Sequence, residues 1–323
     1  MSEQFLRKYS LYITGPKYKV YDDVGTQLAR QITDPLRITF DISKTITREP
    51  NSAKIRIYNL SPDTEREIIH EGSQIVLSVG YENPGIIFKG QLFQPIRGKE
   101  NATDYYLDLY GLDGDAYLNL GFMSGTIASN QTRRKIAEQI LRESNLQLDS
   151  VDTSQLPETN TVDGSKPNSE RAKVIFGKPG KYLSNLSKLG NATFYVDNNE
   201  GKFFNPTSTI GKDEAHLITK DTGMIDFPEQ IDYGVMVKCL INPSIKLGDY
   251  IKIDNKSVIL QPNSYGDQDY YSRMLNSNGI YRVIKIEYSG DSRGNNWFCN
   301  LTAITQAGYL PAMMAGSYGF MML

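Results

Sequence analysis

Three residue types are scarce in this chain. Its 323 residues hold two cysteines, two histidines and one tryptophan. Cys239 and Cys299 both lie in apolar, strand-like stretches, which fits buried free thiols in a reducing compartment. Whether they could join is a matter of geometry that spacing does not give. Two cysteines with no histidine nearby do not make a zinc site. His70 falls in the last turn of a short helix, where a cation complements the dipole. His216 follows Asp213 and Glu214 in what reads as a solvated polar stretch. Charge of one sign is lacking too. The 35 basic and 37 acidic residues leave a net charge of −2, so the overall balance gives no reason to expect a phosphate-neutralising surface, and no nucleic-acid sequence recognition is expected. No apolar run is long enough to span a bilayer, and residues 1–5 lack the basic start and apolar core of a secretion signal.

Catalytic signatures are missing as well. There is no Gly-x-Ser-x-Gly elbow, phosphate-binding Gly-Lys-Ser/Thr loop, His-Glu-x-x-His helix or Rossmann glycine fingerprint. Asp113 and Asp115 flank Gly114, but the segment lacks the twelve-residue calcium-loop pattern and reads as a turn. A glycosidase needs two carboxyl groups held at a set separation across a cleft. Glu138 and Glu143 sit five apart on one helix and so fall on different faces. No catalytic, metal-ligating or cofactor-binding residue is assigned, and no cofactor is expected.

Strand patterns are abundant. In residues 36–42, Leu36, Ile38, Phe40 and Ile42 share one face by alternation. Runs at 54–59, 74–81, 86–92 and 105–110 follow, separated by Gly, Pro and Asn, which argues for a barrel or sandwich. One short helix interrupts them: Ser61 is a good N-cap, Pro62 suits the first position, and Gly72 can end it. Residues 123–222 change character. A helix over 130–143 carries Ile136, Ala137, Ile140 and Leu141 on one stripe, with Arg133, Arg134 and Lys135 as a solvated face. Residues 149–173 read as a long polar loop. A second helix over 181–189 leads to a hairpin turning at Asn198, Asn199 and Gly201. Residues 223–307 return to strands.

The most informative of these is the hairpin around residues 290–297. Turn formers at Gly290, Asp291, Gly294 and Asn295 separate runs at 281–288 and 297–304. Trp297, Cys299, Leu301 and Ala303 share a face, so Trp297 is expected in the core. Arg293, in the loop, is the expected contact with a neighbour. The 21 tyrosines suit either β-rich packing or contact surfaces. The reading is mainly β with an α/β insert. A first β-barrel module covers 1–122, an α/β middle region with a polar loop 123–222, a second β-barrel module 223–307, and an apolar tail 308–323.

Three stretches carry a family resemblance: residues 50–61 followed by Gly80, Tyr81 and 87–90; residues 240–249; and residues 279–283 running into 290–294 and Trp297. In their order and spacing the chain resembles the baseplate hubs of contractile-tailed bacteriophages. These are tail-tube adaptors related to late control D proteins and to the hub part of type VI secretion spikes. The resemblance implies a homotrimer in which each subunit gives two tube-like barrels. Such a ring meets the hexameric tail tube on one side and the trimeric central spike on the other, within the virion baseplate and its other proteins. It implies no enzyme. No β-helix repeat and no lysozyme insert is evident, so spike and peptidoglycan cleavage belong to other chains. Two alternatives stay open: a virion-associated cell-wall-degrading enzyme, and a host-surface carbohydrate-binding β-protein.

Residues 306–323 carry no charged side chain. Tyr309, Leu310, Met313, Met314, Tyr318, Phe320, Met321, Met322 and Leu323 offer a soft, adaptable contact surface. The tail is expected to dock on the spike or a neighbouring subunit. Its Gly and Pro make a poor spanning helix, so no stable membrane insertion is expected.

Overall fold

The computed structural model describes residues 7–14, 29–33, 36–69, 73–144, 148–157, 171–209, 211–231, 234–259, 275 and 278–305. The chain is mainly β and divides into two compact units. The first gathers the described residues up to 44, then 51–113 and 214–305; the second gathers 45–50 and 114–213.

The first unit contributes seven strands from the front of the chain. They are β1 (Lys8–Thr14), β2 (Ala29–Ile32), β3 (Ile38–Thr45), β4 (Asn51–Tyr58), β5 (Gln74–Gly80), β6 (Gly85–Lys99) and β7 (Tyr105–Asp113). The second unit supplies β8 (Met123–Ile127), β9 (Ser150–Asp152), β10 (Lys173–Gly177), β11 (Thr193–Asp197) and β12 (Glu200–Phe204). The chain then returns to the first unit with β13 (His216–Leu217), β14 (Glu229–Ile231), β15 (Gly234–Leu240), β16 (Tyr250–Lys252), β17 (Ile280–Asp291) and β18 (Trp297–Ile304).

The thirteen strands of the first unit form one sheet. Its main path runs β14-β15-β18-β17-β3-β4-β7-β6-β5-β1-β2, with β16 paired to β17 and β13 to β16. Every recorded register in it is antiparallel except β13 with β16. Alternation explains the inward face. Ile38, Phe40 and Ile42 of β3, Ala53, Ile55 and Ile57 of β4, and Leu107 and Leu109 of β7 are all buried, each large apolar side chain contributing about 1.5–3 kcal/mol by leaving water. Trp297, Cys299, Leu301 and Ala303 are buried as their spacing predicts. A short helix, α1 (Pro62–Ile68), follows β4, and the Ser61 hydroxyl accepts from the Thr64 amide at 3.2 Å. His70 and Gly72 lie outside the described residues.

The second unit has its own core. Helix α2 (Arg133–Glu143) packs on α3 (Pro179–Lys188) and β8, and α3 packs on β11. Ile136, Ala137, Ile140, Leu183, Phe194 and Phe203 are central to that core. Asn198 and Asn199, both at positive φ, make the two-residue turn of the β11–β12 hairpin, where left-handed backbone matches strand twist.

Two expectations need correcting here. Residues 149–173 are not loop throughout. β9 pairs in parallel with β12, and β10 opens at Lys173 against β8. The edge of β12 supplies the hydrogen bonds that hold Ser150–Asp152 extended. Nor is the 133–135 run a solvated face. Arg133 is buried, and burial pulls its pKa down. Arg134 donates to the carbonyls of Leu156 and Ser154, both at 2.8 Å; Lys135 alone is exposed.

Candidate assembly surface

The middle of the large sheet is a seam between β3 and β17, which are neighbours in space but far apart in the chain. Its end is closed by charge and backbone together. Arg37 reaches the Asp291 carboxylate with Nη2 at 2.7 Å and Nε at 3.2 Å. The Ser292 amide donates to the Ile38 carbonyl at 2.9 Å, and the Ile38 amide to the Ser292 hydroxyl at 3.0 Å. Burial pushes the Asp291 carboxyl upward, but the Arg37 guanidinium and the amides of Arg293 and Gly294 outweigh it. The group is held below its ordinary value. The same hydrogen bond raises Arg37. Beneath the seam, Phe40 meets Trp297 edge-on, ring centroids 5.4 Å apart. Gly290 lies against the Phe40 ring, where a Cβ would stand 2.2 Å from its nearest atom, so only glycine allows this approach.

Loop 292–296 is braced from within. The Asp291 amide donates to the Asn296 carbonyl at 2.7 Å, and the Arg293 amide to Asp291 Oδ1 at 2.9 Å. Arg7 donates to the carbonyls of Asp291, Gly294 and Asn295, and its guanidinium lies 5.6 Å from the Trp297 ring centroid. Arg293 is exposed on this loop. Neither Arg7 nor Arg37 was singled out from the sequence. Each stands just before a strand, Arg7 next to Lys8, and nothing local marks it as the brace of a loop more than 250 residues away.

On the face opposite the core runs a ladder of cations, tyrosines and one buried carboxylate. In the β4–β7 register Lys54 faces Tyr110, Arg56 faces Asp108 and Tyr58 faces Tyr106. Arg56 holds Asp108 with two bonds of 2.6 and 2.9 Å and stacks 3.7 Å from the Tyr106 ring centroid. The Asp108 side chain is 5% exposed, and pairing with it raises Arg56 above the usual guanidinium range. Beside the ladder a groove of about 630 Å³ crosses the sheet, lined among others by Asp41, Lys54, Phe93, Tyr110, Glu287 and Ser289. Ser289 donates to Asp41 at 2.8 Å across the seam. Phe93 is the extra residue of a bulge, since Leu92 pairs with Gly111 and Gln94 with Tyr110. The bulge turns its ring outward, 58% exposed.

Other apolar side chains face water. On the first unit Ile225, Phe227, Met236 and Ile259 are exposed around β14 and β15. On the second, Val174 and Phe176 of β10 are exposed, and Phe122 meets Phe176 edge-on at 5.0 Å. His216 is not simply solvated. It sits in β13 with Nε2 3.5 Å from an Asp249 carboxylate oxygen. Asp113 accepts from Asn51 at 3.4 Å and Asp115 from Asn119 at 2.6 Å. Among the described residues no group of three or more His, Cys, Asp or Glu side chains is placed to hold a metal ion. No described helix is long and apolar enough to cross a membrane. Of the expected contact residues only Arg293 is described. Tyr309, Leu310, Met313, Met314, Tyr318, Phe320, Met321, Met322 and Leu323 lie outside the described residues.

This architecture recurs in solved structures. A tail protein from Neisseria meningitidis MC58 is similar with TM-score 0.54 and 8% identity, over 92% of this chain and 96% of that one. The 43 kDa tail protein of prophage MuSo2 from Shewanella oneidensis gives 0.54 and 11%, over 94% and 100%. The E. coli c3393 protein, a type VI secretion component with structural similarity to the T4 tail proteins gp27 and gp5, gives 0.52 and 14%, over 87% and 77%. At these identities the likeness establishes a shared fold. No curated protein matches. The family described as baseplate hub gp41 matches residues 19–303. The chain belongs to that family, and is a structural component of the phage tail baseplate.

Proposed function

We propose that three copies of this chain form a ring connecting the hexameric tail tube to the trimeric central spike. The observation that carries this reading is the family match from residue 19 to residue 303, which spans both strand-rich parts of the chain. The regions 1–122 and 223–307 then act as the two tube-like modules of each subunit, so three subunits offer six to the tube. Their strands already meet in one sheet across β3 and β17. Exposed apolar groups at Phe227, Met236 and Phe93 supply the kind of surface that assembly covers. Arg293 contacts a neighbour, and the tail from 308 to 323 docks on the spike or an adjacent subunit. The chain acts by binding and has no catalytic role of its own. It is made in the host cytoplasm and works in the virion.

Mass measurement in solution, alone and with the spike chain, tests the reading. A trimer in either condition, seen as a ring in projection images, supports it. A monomer in both would overturn it. Clearing of a cell-wall suspension by the purified chain would favour the enzymatic alternative instead.

A further inference from the structure

The two cysteines, sixty residues apart in sequence, are brought face to face. Cys239 of β15 stands directly opposite Cys299 of β18, and their sulfurs are 3.4 Å apart. Both are free thiols and both are buried, 4% and 1% exposed. The backbone fixes how they meet. The Leu240 amide donates to the Gly223 carbonyl, and the Ile225 amide to the Lys238 carbonyl. Residues 238 and 240 therefore direct their polar groups away from β18, and Cys239 directs its own toward it. A hydrogen-bonded antiparallel pair has Cα atoms about 5.5 Å apart. That lies inside the roughly 4.4–6.8 Å window in which a disulfide closes without moving the backbone.

We propose that Cys239 and Cys299 are a dithiol modification site for a small peroxide oxidant, which closes them into a cross-strand disulfide. The burial of both sulfurs selects for a small, uncharged reagent such as hydrogen peroxide. One thiol gives up its proton and its Sγ attacks the peroxide. The O–O bond breaks, a sulfenic acid forms, and the departing hydroxide takes the proton as water. The second thiol sulfur then attacks the sulfenic sulfur. The S–S bond forms, and the sulfenic oxygen leaves as a second water with the second thiol's proton. Two thiols and one peroxide give one disulfide and two waters.

The Cys239 thiol is pushed well above its usual value by its hydrogen bond with Cys299 and by burial, so little thiolate is present and the first step is slow. Slow closure suits a pair kept open by a reducing cytoplasm and closed in a long-lived particle outside it. That timing rests on the proposed place in the virion. The chemistry does not.

The test uses the purified full-length chain under native conditions. It is freed of reductant, exposed to hydrogen peroxide, quenched, denatured, alkylated with N-ethylmaleimide and mapped by mass spectrometry. A peptide pair linked through Cys239 and Cys299 is expected, with loss of alkylation at both. An upward shift of the unfolding midpoint is also expected, reversed by dithiothreitol and absent in Cys299→Ser. Two thiols still alkylated after prolonged exposure, or two separate sulfinic acids, would overturn the proposal. This outcome does not depend on whether the chain forms trimers, so failure of the site and failure of the hub reading are told apart.

Discussion

Trp297 and Arg293 stand four residues apart and do opposite things. Trp297 is 1% exposed, edge-on to Phe40. Among the described residues its indole nitrogen has no hydrogen-bond acceptor, so its contribution is packing. Trp297→Ala leaves a cavity that Gly290 and Phe40 cannot refill, and is expected to cost about 3–5 kcal/mol, read from the urea midpoint. An unchanged midpoint would mean that the hairpin is not a core element. Arg293→Ala changes an exposed side chain on the loop. It is expected to leave the midpoint within about 0.5 kcal/mol and to weaken trimer formation in sedimentation. Normal assembly would confine the loop to a local turn role. Asp108 gives a third case. Removing its two-bond partner in Arg56→Ala leaves a carboxylate only 5% exposed with Lys54, 3.6 Å away, as its remaining cation, and is expected to cost about 1–3 kcal/mol in the same titration. Trp297 was legible because alternation places it. The ladder around Asp108 was not, because it exists only once β4 and β7 are in register.

At the scale of elements, the sequence marked the strands better than their partners. The 280–304 hairpin is contiguous in sequence, so turn chemistry and period reveal it. The seam of β3 with β17 joins residues about 250 apart, and no local signal names the partner of either strand. The bulge at Phe93 was hidden for the same reason, since a bulge is a property of a pair. The parallel β9–β12 pairing escaped because β9 is only three residues, Ser150, Val151 and Asp152, too short to carry a period. The seam also makes a pH prediction. The Asp291 carboxyl is held below its ordinary 3.8, so its link to Arg37 stabilises the folded chain above that pH. The stabilisation is lost as pH falls through the lowered folded-state value. Arg37 is 42% exposed, so the effect is small, about 1 kcal/mol or less. In acid unfolding curves Asp291→Asn is expected to start less stable near neutrality and to converge on the parent as pH falls through the lowered folded-state value. Parallel curves would show that the pair contributes nothing.

At the scale of the molecule, the first unit is built from both ends of the chain. Its core strands β4 and β7 come from the front, β18 and β15 from the back, and all lie in one hydrogen-bonded sheet. A barrel closed within each half would let the two halves open separately. A sheet that continues through β3 and β17 does not, because opening either half exposes the inner face shared by Phe40 and Trp297. The amides of β4, β7, β17 and β18 are therefore expected to exchange hydrogen through one global opening with a common free energy. They should respond equally to Trp297→Ala, although the substitution lies in the rear half. Mass-resolved exchange in the full-length chain measures this. If Trp297→Ala speeds exchange in β17 and β18 while β4 and β7 keep their protection, the seam does not couple the halves. The front and back regions would then be two separately folding modules that merely adjoin.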